Sequence, residues 1–103
     1  GKLYYVEGIN GSANTIQGSL FSAGTTKVTL VTGMVVALKL NQTLQAGANT
    51  FNLNGTSKSI FKASNATNSA TLGTTYAVGS VILLAYTPGV AGGCWQAISE
   101  EGL

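Results

Sequence analysis

The chain has no histidine, no aspartate and no arginine, and it holds one cysteine and one proline. Its acidic side chains are Glu7, Glu100 and Glu101, all near the ends. Each absence removes a class of chemistry. A Ser-His-Asp triad cannot be assembled without His and Asp. Cys94 has no imidazole to draw off its proton. A glycosidase needs two carboxylates across the scissile bond, and only Glu7 with Glu100 or Glu101 remains for that work. Zinc asks for Cys and His ligands, and calcium for several carboxylate oxygens. The residues therefore point to a non-enzymatic protein with no cofactor and no metal. The lone Cys94 cannot form an internal disulfide, and free cysteine is usually buried as a small hydrophobe.

Charge is scarce too. Charged residues make up 8% of the chain, and the net charge is +2. Lys2, Lys27, Lys39, Lys58 and Lys62 are scattered. Nucleic-acid binding draws on a dense basic stripe that displaces counterions, so no nucleic-acid partner is expected. No long apolar run is present either. The longest, Val81-Ile-Leu-Leu-Ala-Tyr86, is far short of the ~20 residues of a spanning helix, and no membrane insertion is expected. No signal peptide is visible, and the start at Gly1 reads as the edge of a piece cut from a longer protein.

What is present is apolar and neutral polar. Hydrophobic residues make up 45% of the chain, and 9 Ser, 13 Thr and 8 Asn supply the surface. That balance suits one globular domain over residues 1–103. Short segments rich in Val, Ile, Thr, Tyr and Phe alternate with Gly, Asn and Ser, which is the pattern of strands and turns. Strands are expected over residues 3–7, 15–21, 27–31, 34–40, 50–54, 58–63, 74–78, 80–87 and 94–98. Asn10-Gly11 and Asn54-Gly55 are hairpin-turn dipeptides. No helix is evident. The expectation is an all-β, antiparallel β-sandwich or jelly roll, with Val28, Leu30, Val36, Leu38, Phe51, Leu53, Ile60, Leu83 and Trp95 in the core. Four Asn-x-Ser/Thr sequons, at Asn10, Asn41, Asn54 and Asn65, follow from the abundance of these residues.

The order of segments from Gly33 to Ile98 resembles a module of bacteriophage tail fibres and baseplate receptor-binding proteins. The residues that carry it are Gly33-Met-Val-Val-Ala-Leu-Lys-Leu40, Ala46-Gly-Ala-Asn-Thr-Phe-Asn-Leu-Asn-Gly55, Ser57-Lys-Ser-Ile-Phe-Lys62, Gly79-Ser-Val-Ile-Leu-Leu-Ala-Tyr86 and Gly93-Cys-Trp-Gln-Ala-Ile98. The turn Thr87-Pro-Gly-Val-Ala-Gly92 departs from the shorter Asp/Asn-Gly turn of such modules. The resemblance covers about two-thirds of the chain. It implies a virion location outside the cell, other tail or baseplate proteins as neighbours, and a homotrimer. It also implies a C-terminal or tip module of a longer tail-appendage protein.

Two functions remain open. One is an adhesin that binds a host cell-surface glycan: a polysaccharide, teichoic acid or lipopolysaccharide. The other is a structural spacer or trimerisation module with no ligand of its own. For a glycan the candidate contacts are polar or aromatic side chains in loops or on outward strand positions. Those are Asn52, Asn54, Asn65, Asn68, Tyr76 and Tyr86. The apolar strands 34–40 and 81–86, with hydrophobic residues on both faces, are candidates for contact between copies.

Overall fold

The computed structural model describes residues 3–12, 14–18, 29–62, 71–88 and 92–98. Seven strands are found there: β1 (Leu3–Ser12), β2 (Thr15–Gly18), β3 (Val35–Lys39), β4 (Asn49–Leu53), β5 (Thr56–Phe61), β6 (Val81–Thr87) and β7 (Cys94–Ala97). They close into a barrel in the order β1-β2-β4-β5-β7-β6-β3. The all-β class is as expected. The sandwich or jelly roll is not: the seven strands form a single sheet closed on itself. Nor is the sheet purely antiparallel. β1 runs parallel to β3, β2 to β4, and β5 to β7. The local alternation that marks a strand is the same in either architecture; the pairing of remote segments decides between them.

The interior follows from that alternation. Side chains directly opposite one another in a ladder point to the same face, and the rows through β1, β3 and β6 place Tyr4, Val36 and Leu84 together, then Val6, Leu38 and Ile82. These residues are buried, except for the half-buried Tyr4. Across the barrel, Ile16, Phe51, Leu53 and Ile60 join them, and Trp95 is fully buried at the centre. Its ring meets Phe51 and Tyr86, each with centroids 5.5 Å away, at tilts of 56° and 67°. Tilted and edge-to-face pairs favour the ring quadrupoles.

Gly18 lets the wall come close. A Cβ on Gly18 would lie 2.5 Å from Val6 Cγ1. The hairpin between β4 and β5 pairs Leu53 with Thr56 around Asn54-Gly55. Both turn residues have positive φ, 49° and 92°, the two-residue turn expected from that dipeptide.

Several local expectations are corrected. Asn10-Gly11 is not a turn: β1 runs on to Ser12 through a register shift between Gly8 and Asn10, and the hairpin closes at Ser12 and Thr15. A β-bulge absorbs the extra residue. Residues 74–78 form no strand and touch the fold through an isolated bridge of Tyr76 to Leu44. Of 27–31, residues 29–31 are not strand either, and Val31 and Met34 close a turn; Val28 lies outside the described residues. Leu83 was expected in the core, but it faces outward and is 38% exposed, because β6 turns Ile82, Leu84 and Tyr86 inward. Cys94 is buried and free, as expected.

Candidate functional site

The barrel interior is filled by side chains, so any recognition must occur on the outside. The outward rows have two different chemistries. On β1, β3 and β6 the first row is Leu3, Val35 and Ala85, and the second is Tyr5, Ala37 and Leu83. Ile98 extends the second row, its N–H donating to the Leu83 carbonyl at 2.9 Å. The third row is Glu7, Lys39 and Val81. Leu3, Tyr5, Val81 and Ile98 are each about half exposed or more. The charged pair of Glu7 and Lys39 sits at the margin of an otherwise apolar face. Tyr5 Oη donates to Glu7 Oε2 at 2.8 Å, and this bond to a carboxylate, with lesser help from desolvation and the nearby charge, raises the Tyr5 phenol above its usual pKa.

On β2, β4 and β5 the outward rows are neutral and polar. Thr15, Thr50 and Ser59 form one row across the three strands, and Gln17, Asn52 and Ser57 form the next. In the closed order, β4 stands three strands from β3 in one direction and four in the other. The polar and apolar faces are therefore on opposite sides of the barrel.

A concavity of about 160 Å³ opens beside the first of these polar rows. Thr15, Thr50 and Ser59 line it, together with Thr71 and the apolar Phe61. Phe61 follows Ser59 by two positions and so faces outward, yet it is buried and stands outside the interior cluster. Asn14 and Asn49 frame the opening. Asn49 Nδ2 donates to the carbonyls of Gln45 and Gly47 at 2.8 and 3.0 Å. Asn14 Nδ2 donates to the Ala48 carbonyl at 2.9 Å and to Asn49 Oδ1 at 3.4 Å. The frame is thus held by hydrogen bonds before any ligand arrives. A second concavity, of about 200 Å³, is lined by Glu7, Gly8, Lys39, Leu40 and Asn41.

The chain matches no protein-family model, no curated protein and no solved structure.

Of the residues expected to touch a glycan, Asn52 and Asn54 share the hairpin between β4 and β5, while Tyr86 turns into the barrel interior. Asn52 Oδ1 accepts from the Gly55 N–H at 2.8 Å, and Asn54 is buried in the same hairpin turn. Tyr86 is buried against Trp95. Tyr76 is half-buried and packs against the core from its bridge to Leu44. Asn65 and Asn68 lie outside the described residues. The Thr15, Thr50 and Ser59 row was not anticipated. Each residue is unremarkable in its own strand, and only the pairing of β2 with β4 and of β4 with β5 aligns them. Among the described residues no group of three His, Cys, Asp or Glu side chains could hold a metal ion.

Proposed function

We propose that this chain is a non-enzymatic module of a bacteriophage tail appendage, displayed on the virion outside the cell. Three copies assemble through the apolar outer face of β1, β3 and β6, and the neutral polar face is left free for host cell-surface glycan. The observation that carries this reading is the two-sided exterior. The largest apolar patch on a typical monomer is about 300–600 Å². Here Leu3, Tyr5, Val35, Ala37, Val81, Leu83, Ala85 and Ile98 occupy adjoining outward positions on one side. Burying such a face against identical copies removes it from water at ~25 cal/mol per Å². Three copies turning the same face to a common axis satisfy one another without an open chain of contacts.

Light scattering on the purified chain tests the assembly. The expected result is a trimer that Leu83→Lys together with Tyr5→Lys converts to a folded monomer. A wild-type chain that stays monomeric up to about millimolar concentration would overturn it.

A purely structural spacer is the second reading. It is favoured by the engagement of Asn52 and Asn54 in their own hairpin, which leaves them little to offer a ligand. Capture of the labelled chain by bacterial host cells separates the two readings, because a spacer does not bind them.

A further inference from the structure

We infer that the concavity beside the Thr15, Thr50 and Ser59 row is a subsite for one neutral sugar ring. The inference rests on the glycan-binding reading above and names the place and chemistry of the contact.

Size is the first ground. The concavity measures about 160 Å³, and a cavity of ~150 Å³ takes a six-membered ring such as benzene. One monosaccharide unit fits; a longer saccharide would have to continue along the outer face. The second ground is the row of hydroxyls. Thr15, Thr50 and Ser59 stand on three adjacent strands, ~4.8 Å apart from strand to strand. A hydroxyl both donates and accepts and rotates to suit its partner, so the row can pair with sugar hydroxyls that do the same. The third is Phe61, which adds apolar surface beside those hydroxyls. Sugar rings present C–H faces as well as hydroxyls, and they need both kinds of contact.

Charge decides the ligand class. Among the described residues no charged side chain lines the concavity. Lys58, the neighbour of Ser59, directs its Nζ to the Gly92 carbonyl at 3.4 Å. A phosphate or carboxylate would find no counter-charge among these lining residues, which favours a neutral hexose or N-acetylhexosamine over an anionic unit. Preorganisation supports the same reading. The Asn14 and Asn49 amides are already fixed by their bonds to Ala48, Gln45 and Gly47, so little ordering remains for binding to impose. Finally, the site faces away from the apolar side, and assembly through that side leaves it open.

The test is a nuclear magnetic resonance titration of the full chain with glucose, galactose and N-acetylglucosamine, each taken to about 100 mM, well above a dissociation constant on the order of millimolar. Saturable shifts are expected at the amides of Thr15, Thr50 and Ser59 with at least one sugar, and inorganic phosphate should not compete. The double variant Thr50→Val with Ser59→Ala should weaken binding about tenfold, as two hydrogen bonds are lost, with Trp95 fluorescence unchanged as a check on folding. No saturable shift with any of the three sugars, shifts centred elsewhere, or full binding by the double variant would each overturn the subsite. Host-cell capture by the same chain distinguishes the failures. If cells are captured while these amides stay silent, the subsite is wrong and the adhesin reading stands. If capture also fails, both fall.

Discussion

Replacing Gly18 by Ala is expected to destabilise the barrel, even though alanine is the better residue in most strands. The added Cβ would stand 2.5 Å from Val6 Cγ1 and 3.2 Å from Phe51 Cε1. Both neighbours are buried, Val6 at 1% exposure and Phe51 at 0%, so neither can swing into solvent. Overpacking a tight core costs about 1–3 kcal/mol, against which a lower unfolded-state entropy returns about 0.4–1 kcal/mol. The net expectation is a loss of about 1–2 kcal/mol. Val6→Ala alone removes two methyl groups, at about 0.8 kcal/mol each plus a cavity term, or about 2 kcal/mol together. In the double variant the new methyl occupies the space vacated by Val6, so the two losses should not add. A coupling of about 1 kcal/mol or more is expected between them. Urea unfolding followed by the fluorescence of Trp95, the only tryptophan, measures all four corners of the cycle. Additivity within about 0.5 kcal/mol, or a Gly18→Ala protein more stable than its parent, would refute the close approach of β1 and β2.

Three further outcomes are expected. Trp95 Nε1 is buried with no hydrogen-bond partner among the described residues; Trp95→Ala should cost about 3–5 kcal/mol, and Trp95→Phe clearly less, because the unpaired donor leaves with the indole, as thermal unfolding will show. Asn54 holds a positive φ of 49°, so Asn54→Ala should cost about 1 kcal/mol through backbone strain, and Asn54→Gly, which escapes that strain, should cost less, measured by denaturant midpoint. Tyr5 titrates above its usual value because its hydroxyl donates a hydrogen bond to the Glu7 carboxylate. Glu7→Gln should therefore lower the Tyr5 midpoint in a resonance-resolved titration. With a raised folded-state pKa, the small stabilisation from this bond is present below the unfolded-state value and is lost as pH rises through the folded one.

Much of the wall was legible before the barrel was. Val36 and Leu38 alternate with Ala37 and Lys39, and Phe51 and Leu53 alternate with Asn52, so their inward faces follow from period two alone. Asn54-Gly55 announces its turn because few other dipeptides tolerate two positive φ values in succession. Trp95 is in the core as the alternation of the last strand suggests. The phase of β6 was not legible. Val81-Ile-Leu-Leu-Ala-Tyr86 is apolar at every position, so nothing local says whether Leu83 or Leu84 turns inward. The pairings of Leu84 with Val36 and of Tyr86 with Trp95 settle it. Closure was hidden for the same reason. The parallel neighbours Leu3 and Val35, Thr15 and Thr50, and Ile60 and Trp95 are far apart along the chain, and strand propensity carries no address for a distant partner. The hydroxyl row shared that fate, since it exists only after the strands are in register.

Because the sheet closes on itself, each of the seven described strands has a hydrogen-bonded neighbour on either side over part of its length, which shortens any rim of unpaired N–H and C=O groups. An open sandwich of the same composition would carry two or more such rims, each a template for unwanted strand addition. Closure of this kind makes it harder for neighbouring barrels to knit together edge to edge. Contacts between barrels then fall mainly to side chains, which mutation can change one at a time, and less to a backbone that every β-protein shares.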